Sequence, residues 1–331
     1  MASTAPAFQE AIHGKVPIRE LGLRIAGTPL EPLLSEFDHE LNAVGIRRLR
    51  PRYYLSSEWG VPFETIALAI PFYLAHPDLA ELHADRTGMI EGSDRADVLR
   101  YLRHEMGHVL NYAYMLYDRA DWIATFGAIT QPYSDAYRPE PWSTRFVHHL
   151  PGWYAQKHPD EDWAETFAVW MTPGRDWRTD YAAWPGALAK LELCDRIVRE
   201  IGDAAPQVTD DELDEDVSEI DYSIDEMYAN AEENPAMPPG IDGALRAIAE
   251  PRPGGRPLAQ LLRRHARALA RSVFTWTGHF PEATRALVMH LADRADALGL
   301  EAPDEPATLV AVTALVTSLA MNYTARGSYT P

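Results

Sequence analysis

The tightest constraint on what this chain can become is the run His104-Glu105-Met106-Gly107-His108. It reads H-E-x-x-H. On an α-helix, residues four apart lie on one face, a turn apart, so both imidazoles can reach one point in space. Glu105 lies one position further round. Two imidazoles and a neighbouring carboxylate, so spaced, are the donor set that holds a zinc ion and deprotonates the water beside it. A catalytic zinc takes three protein ligands and keeps a fourth position for water. Another segment must therefore supply one more donor.

The surrounding sequence predicts the helix that the motif needs. Ser93 or Asp94 can cap a helix running to about Tyr117, with Val98, Leu102, Met106, Val109 and Ala113 as its buried stripe. Gly107, at mid-helix, costs about 1 kcal/mol of helix propensity. Its reading is a missing side chain that lets another segment come close. Upstream, Pro51 to Leu74 reads as a hairpin, with strand-like Arg52–Leu55 and Thr65–Ile70 around the turn-rich Ser57-Glu58-Trp59-Gly60. Asp118 to Trp153 is long, irregular and rich in Pro, Tyr and Trp, as functional loops often are. Further helices are expected from Pro159 or Asp160 to about Met171, from Trp184 to Ile201, and over Leu258–Phe274, Pro281–Leu298 and Pro306–Met321.

The third donor is not on the motif's own helix. An extended H-E-x-x-H-x-x-G-x-x-H pattern needs Gly at 111 and His at 114, where this chain has Asn111 and Tyr114. The downstream helix offers Glu161 and Glu165, four apart on one face. One can bind the metal while the other holds a ligand histidine by its far ring nitrogen. Residue chemistry alone leaves open which does which. His148, His149 and His158 are further candidates for a ligand or a substrate contact, although each reads more simply as a hydrogen-bonded loop histidine.

The stretch from Tyr154 to Phe167 resembles the corresponding segment of the gluzincin metallopeptidases related to anthrax lethal factor. The block from His104 to Pro173 is more similar still to a bacterial family of zinc-binding metallopeptidases. The likeness covers roughly Arg52 to Leu193 and does not extend to substrate. It implies that Glu161, first in E-x-x-A-E, is the third zinc ligand and Glu165 its supporting carboxylate. It implies that Tyr154, seven residues before Glu161, helps stabilise the oxyanion. It also implies a fold that is α+β and mainly α: a zincin-like domain with a small mixed sheet over the H-E-x-x-H helix, and additional C-terminal helices. The strand Thr65–Ile70 would then form the edge above the cleft, to which an extended substrate adds as one more strand.

Composition bounds the remaining readings. With 331 residues the chain can build one large domain or two ordinary ones, and 46% apolar residues suffice for a sizeable core. The expected division is a metallopeptidase domain over 1–204, an acidic and Pro/Gly-rich linker over 205–257, and a helical region over 258–331. Thr209 to Glu233 carries a dense acidic run, read as a linker or solvated face. The alternative is a tail that occupies the cleft or recruits a basic partner. A net charge of −19 argues against nucleic-acid binding and against attraction to anionic membrane. The single cysteine, Cys194, can form neither an intramolecular disulfide nor a cysteine zinc site. The first residues show no secretory signal, and the apolar run Ala307–Met321 is short for a membrane span. The expectation is a cytoplasmic zinc-dependent endopeptidase with one zinc per chain, Glu105 as general base, and a peptide or protein substrate. Oligomeric state is not legible. Two other classes stay open: a metal-binding scaffold that recruits partners, and a zinc hydrolase of a non-peptide amide or ester.

Overall fold

The computed structural model describes residues 5–87, 89–133, 137–229, 240–251, 255–302 and 304–329. These fall into two units, Met1–Leu82 with Glu91–Met227, and His83–Ile90 with Tyr228–Pro331. Their labelled elements are strands β1 (Arg52–Ser56) and β2 (Ala67–Pro71) and helices α1 (Leu30–Ala43), α2 (Arg95–Ala113), α3 (Pro159–Met171), α4 (Pro185–Ile201), α5 (Leu258–Thr277), α6 (Pro281–Ala297) and α7 (Glu305–Arg326). The chain is mainly helical with a small sheet, as an α+β, mainly α reading requires.

In the first unit, α2 is the central element. Asp94 caps it, its carboxylate accepting the Asp97 amide. Every residue from His104 to Ala113 is buried, so the apolar stripe read from the sequence is only one of the covered faces. α1, β2 and α3 all pack on α2, and Arg103 of α2 forms a paired hydrogen bond with Glu40 of α1 at 2.8 and 2.9 Å. α3 starts at Pro159, pre-set for a first helical position, with His158 as cap and acidic Asp160, Glu161 and Asp162 facing the positive end of the helix dipole. It ends at Met171, before Pro173-Gly174.

The hairpin expected between residues 51 and 74 is not formed. β1 and β2 run parallel, Arg52 opposite Ala67 and Ser56 opposite Pro71. Two local features explain the difference. All five β2 residues are buried, and strands covered on both faces read as continuous apolar runs and suit parallel pairing. The connection, with Glu64 in the left-handed region at φ 59°, crosses over rather than turning back at Gly60. Gly60 then bridges antiparallel to Ala69 on the far side of β2, its carbonyl accepting Ala69 N at 2.8 Å. β2 is thus flanked on both sides, and the extended segment around Gly60 takes the outer position expected for Thr65–Ile70.

The acidic stretch is anchored by its backbone. Asp210 O accepts Ile66 N at 2.7 Å, Val217 N donates to Leu55 O at 2.8 Å, and the Tyr54 hydroxyl donates to Asp214 O at 3.0 Å. Val217, Ile220 and Ile224 are buried, whereas Asp210, Asp211, Glu212, Asp214 and Glu215 are exposed. The solvated acidic face is therefore the outside of a strap held along β1. Residues 230–233 of the acidic run, and 235–239 and 252–254 of the Pro/Gly-rich stretch, lie outside the described residues.

In the second unit α5, α6 and α7 share one core, built from Leu258, Leu262, Leu269, Leu287, Leu291 and Val316 among others. α7 has 22 residues and is long and apolar enough to cross a membrane by length and composition alone, which corrects the shorter run read from the sequence. Its Thr308, Val312, Val316, Leu319 and Ala320 are buried.

Candidate metal centre

α2 and α3 approach more closely than side chains normally allow, and Gly107 is the reason. A Cβ at this position would lie 2.6 Å from the Ala164 Cα. Without one, the Gly107 carbonyl also accepts the Trp163 indole N–H at 2.8 Å. The expected role of this glycine is therefore the observed one. The contact brings the first turns of α3 level with His104 and His108.

Three donor atoms converge there. Nε2 of His104 and Nε2 of His108 are 3.3 Å apart. Oε2 of Glu161 lies 3.0 Å from the first and 3.3 Å from the second. A tetrahedral ion with ligand bonds of ~2.0–2.1 Å has donor–donor edges of about 3.3 Å, so these three atoms already form one face of such a tetrahedron. All three residues are buried, and among the described residues they are the group fit to hold a metal ion. One carboxylate, two imidazoles and a free face toward a cleft suit zinc.

The opposite ring nitrogens are also taken. His104 Nδ1 donates to Glu165 Oε1 at 2.9 Å, and Glu165 Oε2 accepts the backbone amides of His149 at 3.1 Å and Leu150 at 2.9 Å. Glu165 thus holds the ring while Glu161 faces the donor triangle, the division left open by residue chemistry. His108 Nδ1 donates to Asp160 Oδ2 at 2.9 Å. Asp160 also accepts Asn111 Nδ2 at 2.7 Å and the Tyr112 hydroxyl at 2.5 Å. The sequence reading missed Asp160, although a signal was present. Asn111 and Tyr112 follow His108 by three and four positions, on its face, and an acid next to Glu161 can meet them.

Burial and charge set the protonation of these groups. Burial alone would lower His104, but its hydrogen bonds to Glu161 and Glu165 prevail and push it up to about 10. For His108, burial is likewise overridden by the charges of Asp160 and Glu161, and the ring rises well above its usual value. Glu161 moves the other way. Burial would raise it, but the two histidines hold it well below the carboxylate range. Glu105 is raised by burial against the pull of both histidines, which moves a would-be base toward the working pH.

A cleft of about 440 Å³ opens on the triangle, lined by His104, Glu105, His108, Glu161, Tyr154 and the extended segment at Gly60 and Val61. The Glu105 carboxylate makes no hydrogen bond to another side chain among the described residues and faces this space. The Tyr154 ring stands edge-on to His104, centroids 5.6 Å apart. Burial and the nearby Glu161 charge raise its hydroxyl well above the usual value, so the phenol keeps its proton. The other three candidate histidines stand apart from the triangle, although His158 lines the cleft. His149 Nε2 bonds Arg100 O at 2.9 Å, His158 caps α3, and His148 packs against Trp153 and Trp184. Cys194 is buried and its thiol is pushed up by that burial, which suits no nucleophile.

Comparison with known proteins agrees with this geometry. A family model described as "Putative zinc-binding metallo-peptidase" matches residues 69–182, which contain α2 and α3 complete. The match supports placing this part of the chain with that family. An uncharacterized protein of Mycobacterium bovis and one of Mycobacterium tuberculosis are each 33% identical over 133 residues, 36% of this chain and 37% of theirs. The chain thus spans little more than a third of the length of these curated relatives. No solved structure matches the chain.

Proposed function

We propose that this chain is a zinc-dependent peptidase of the gluzincin type, acting as an endopeptidase. The observation that carries the proposal is the donor triangle of His104, His108 and Glu161, with Glu105 beside it and open to the same cleft. A site that served only structure would close its fourth position and need no adjacent base.

A bound zinc ion supplies an acidified water and polarises the carbonyl that it contacts. The chain's own residues do the rest. His104, His108 and Glu161 would hold the ion, and Glu165 and Asp160 fix the two rings by their far nitrogens. Glu105 takes the proton of the attacking water and returns it to the leaving amine. Tyr154, its hydroxyl kept protonated, donates to the developing oxyanion. The extended segment at Gly60 and Val61, in place of Thr65–Ile70, is the edge along which a peptide main chain would lie.

The test is a peptide-library cleavage profile, with and without chelator, beside Glu105→Gln. Loss of general-base help should slow turnover by about 10²–10⁴-fold while bound zinc is unchanged. Cleavage by Glu105→Gln at the wild-type rate would refute the mechanism. Zinc binding without cleavage of any peptide would favour the scaffold reading.

A further inference from the structure

The two oxygens of Glu161 face different groups. Oε2 completes the donor triangle, whereas Oε1 accepts the hydroxyl of Tyr133 at 2.5 Å. Tyr133 belongs to neither helix of the centre. It comes from the segment between Phe126 and Tyr154, whose described residues form no helix or strand, and its side chain lines the cleft. The residue is 53% exposed, so core packing does not explain where its hydroxyl points. Its ring is held by a cation: the Lys157 ammonium lies 4.4 Å from the Tyr133 ring centre and 5.1 Å from that of Tyr154. The chain has only three lysines, and this one lies over Tyr133 and Tyr154, two of the tyrosines that line the cleft.

A carboxylate can meet a divalent cation through one oxygen or through both. A short hydrogen bond from a phenol to an ionised oxygen is among the stronger ones, and it takes one of the two lone-pair sites of Oε1, so a second metal bond through that oxygen would compete with it. With Oε1 so engaged, Glu161 has one oxygen to give. We infer that Tyr133 is a positioning residue that holds Glu161 to one-oxygen ligation and so keeps the fourth coordination position open for water. The inference rests on the metal reading above. It differs from the role given to Tyr154, because Tyr133 acts through a ligand, while its side chain also hydrogen-bonds Tyr154.

Cobalt(II) provides a readout independent of turnover, since four-coordinate cobalt absorbs visible light far more strongly than five-coordinate cobalt. The wild-type full chain loaded with cobalt should give the intense four-coordinate band. Tyr133→Phe removes only the hydroxyl of a half-exposed ring. It should convert the band to the weak five-coordinate form and weaken zinc binding about tenfold, measured by competition with a chromophoric chelator. A merely structural tyrosine would lower the melting temperature of the metal-free chain and leave the band alone. An unchanged band and affinity in Tyr133→Phe would overturn the inference and leave the metal reading standing. A wild-type chain that takes up no cobalt would overturn both.

Discussion

At the scale of residues, the centre divides its labour between pairs. Each imidazole presents one nitrogen to the donor triangle and commits the other to a buried carboxylate, Glu165 for His104 and Asp160 for His108. These carboxylates fix ring orientation and make the facing nitrogens better donors. Asp160→Asn and Glu165→Gln should therefore keep the fold and weaken zinc by about 10–100-fold each, as isothermal titration can measure. An unchanged affinity in both would remove the orienting role. Protons compete for the same nitrogens. Because the carboxylates raise both rings, zinc affinity should fall as pH is lowered. His104, Glu105 and His108 were legible from spacing alone, and Glu161 with the help of resemblance. Tyr133 was not, because it reaches the site from a segment without periodicity, where no spacing rule applies.

At the scale of elements, the site depends on how closely two helices meet. Gly107 sits where a Cβ would lie 2.6 Å from the Ala164 backbone, and backbone cannot rotate away as a flexible side chain can. Gly107→Ala should gain helix propensity and still lose stability, by about 1–3 kcal/mol or more from overpacking. It should lose zinc as well, since α3 carries Glu161 away with it. Thermal melts and metal content check both parts, and a variant as stable as wild type with full zinc would show that the contact is slack. Helices α2 to α7 were readable from caps, Pro and Gly signals and apolar periodicity, whereas α1 (Leu30–Ala43) was not read. The pairing of β1 with β2 was not. A short run with Gly60 in the middle looks like a hairpin turn, and only burial on both faces of β2 and the left-handed Glu64 reveal the parallel crossover. The acidic strap was half legible. Its charges predict a solvated face, but its backbone bonds to Leu55 and Ile66 come from tertiary context.

At the scale of the molecule, the two units are built differently. The first surrounds a buried polar centre, and the second is an apolar helical core with a buried polar cluster where the α5–α6 junction meets Tyr329. There His279 is hydrogen-bonded to Thr284 Oγ1 and to the Tyr329 hydroxyl, both at 2.7 Å. Burial lowers the ring to about 4, so the folded chain resists its protonation. An unfolded histidine takes its proton near 6.5. Between these values the unfolded state binds more protons, and stability is lost as pH falls from about 6.5 towards 4, by up to about 3 kcal/mol. Urea unfolding at about pH 7 and about pH 4.5 should show a smaller drop for His279→Gln than for the wild type. Equal drops would remove His279 from the account. The claim on which the functional reading rests is that one zinc ion sits on the face formed by His104, His108 and Glu161. Anomalous scattering at the zinc edge from crystals of the zinc-loaded chain tests it most directly. The expected result is one peak per chain, about 2.0–2.2 Å from His104 Nε2, His108 Nε2 and a Glu161 oxygen. A zinc peak bound elsewhere, with these three atoms still joined only to one another, would contradict it.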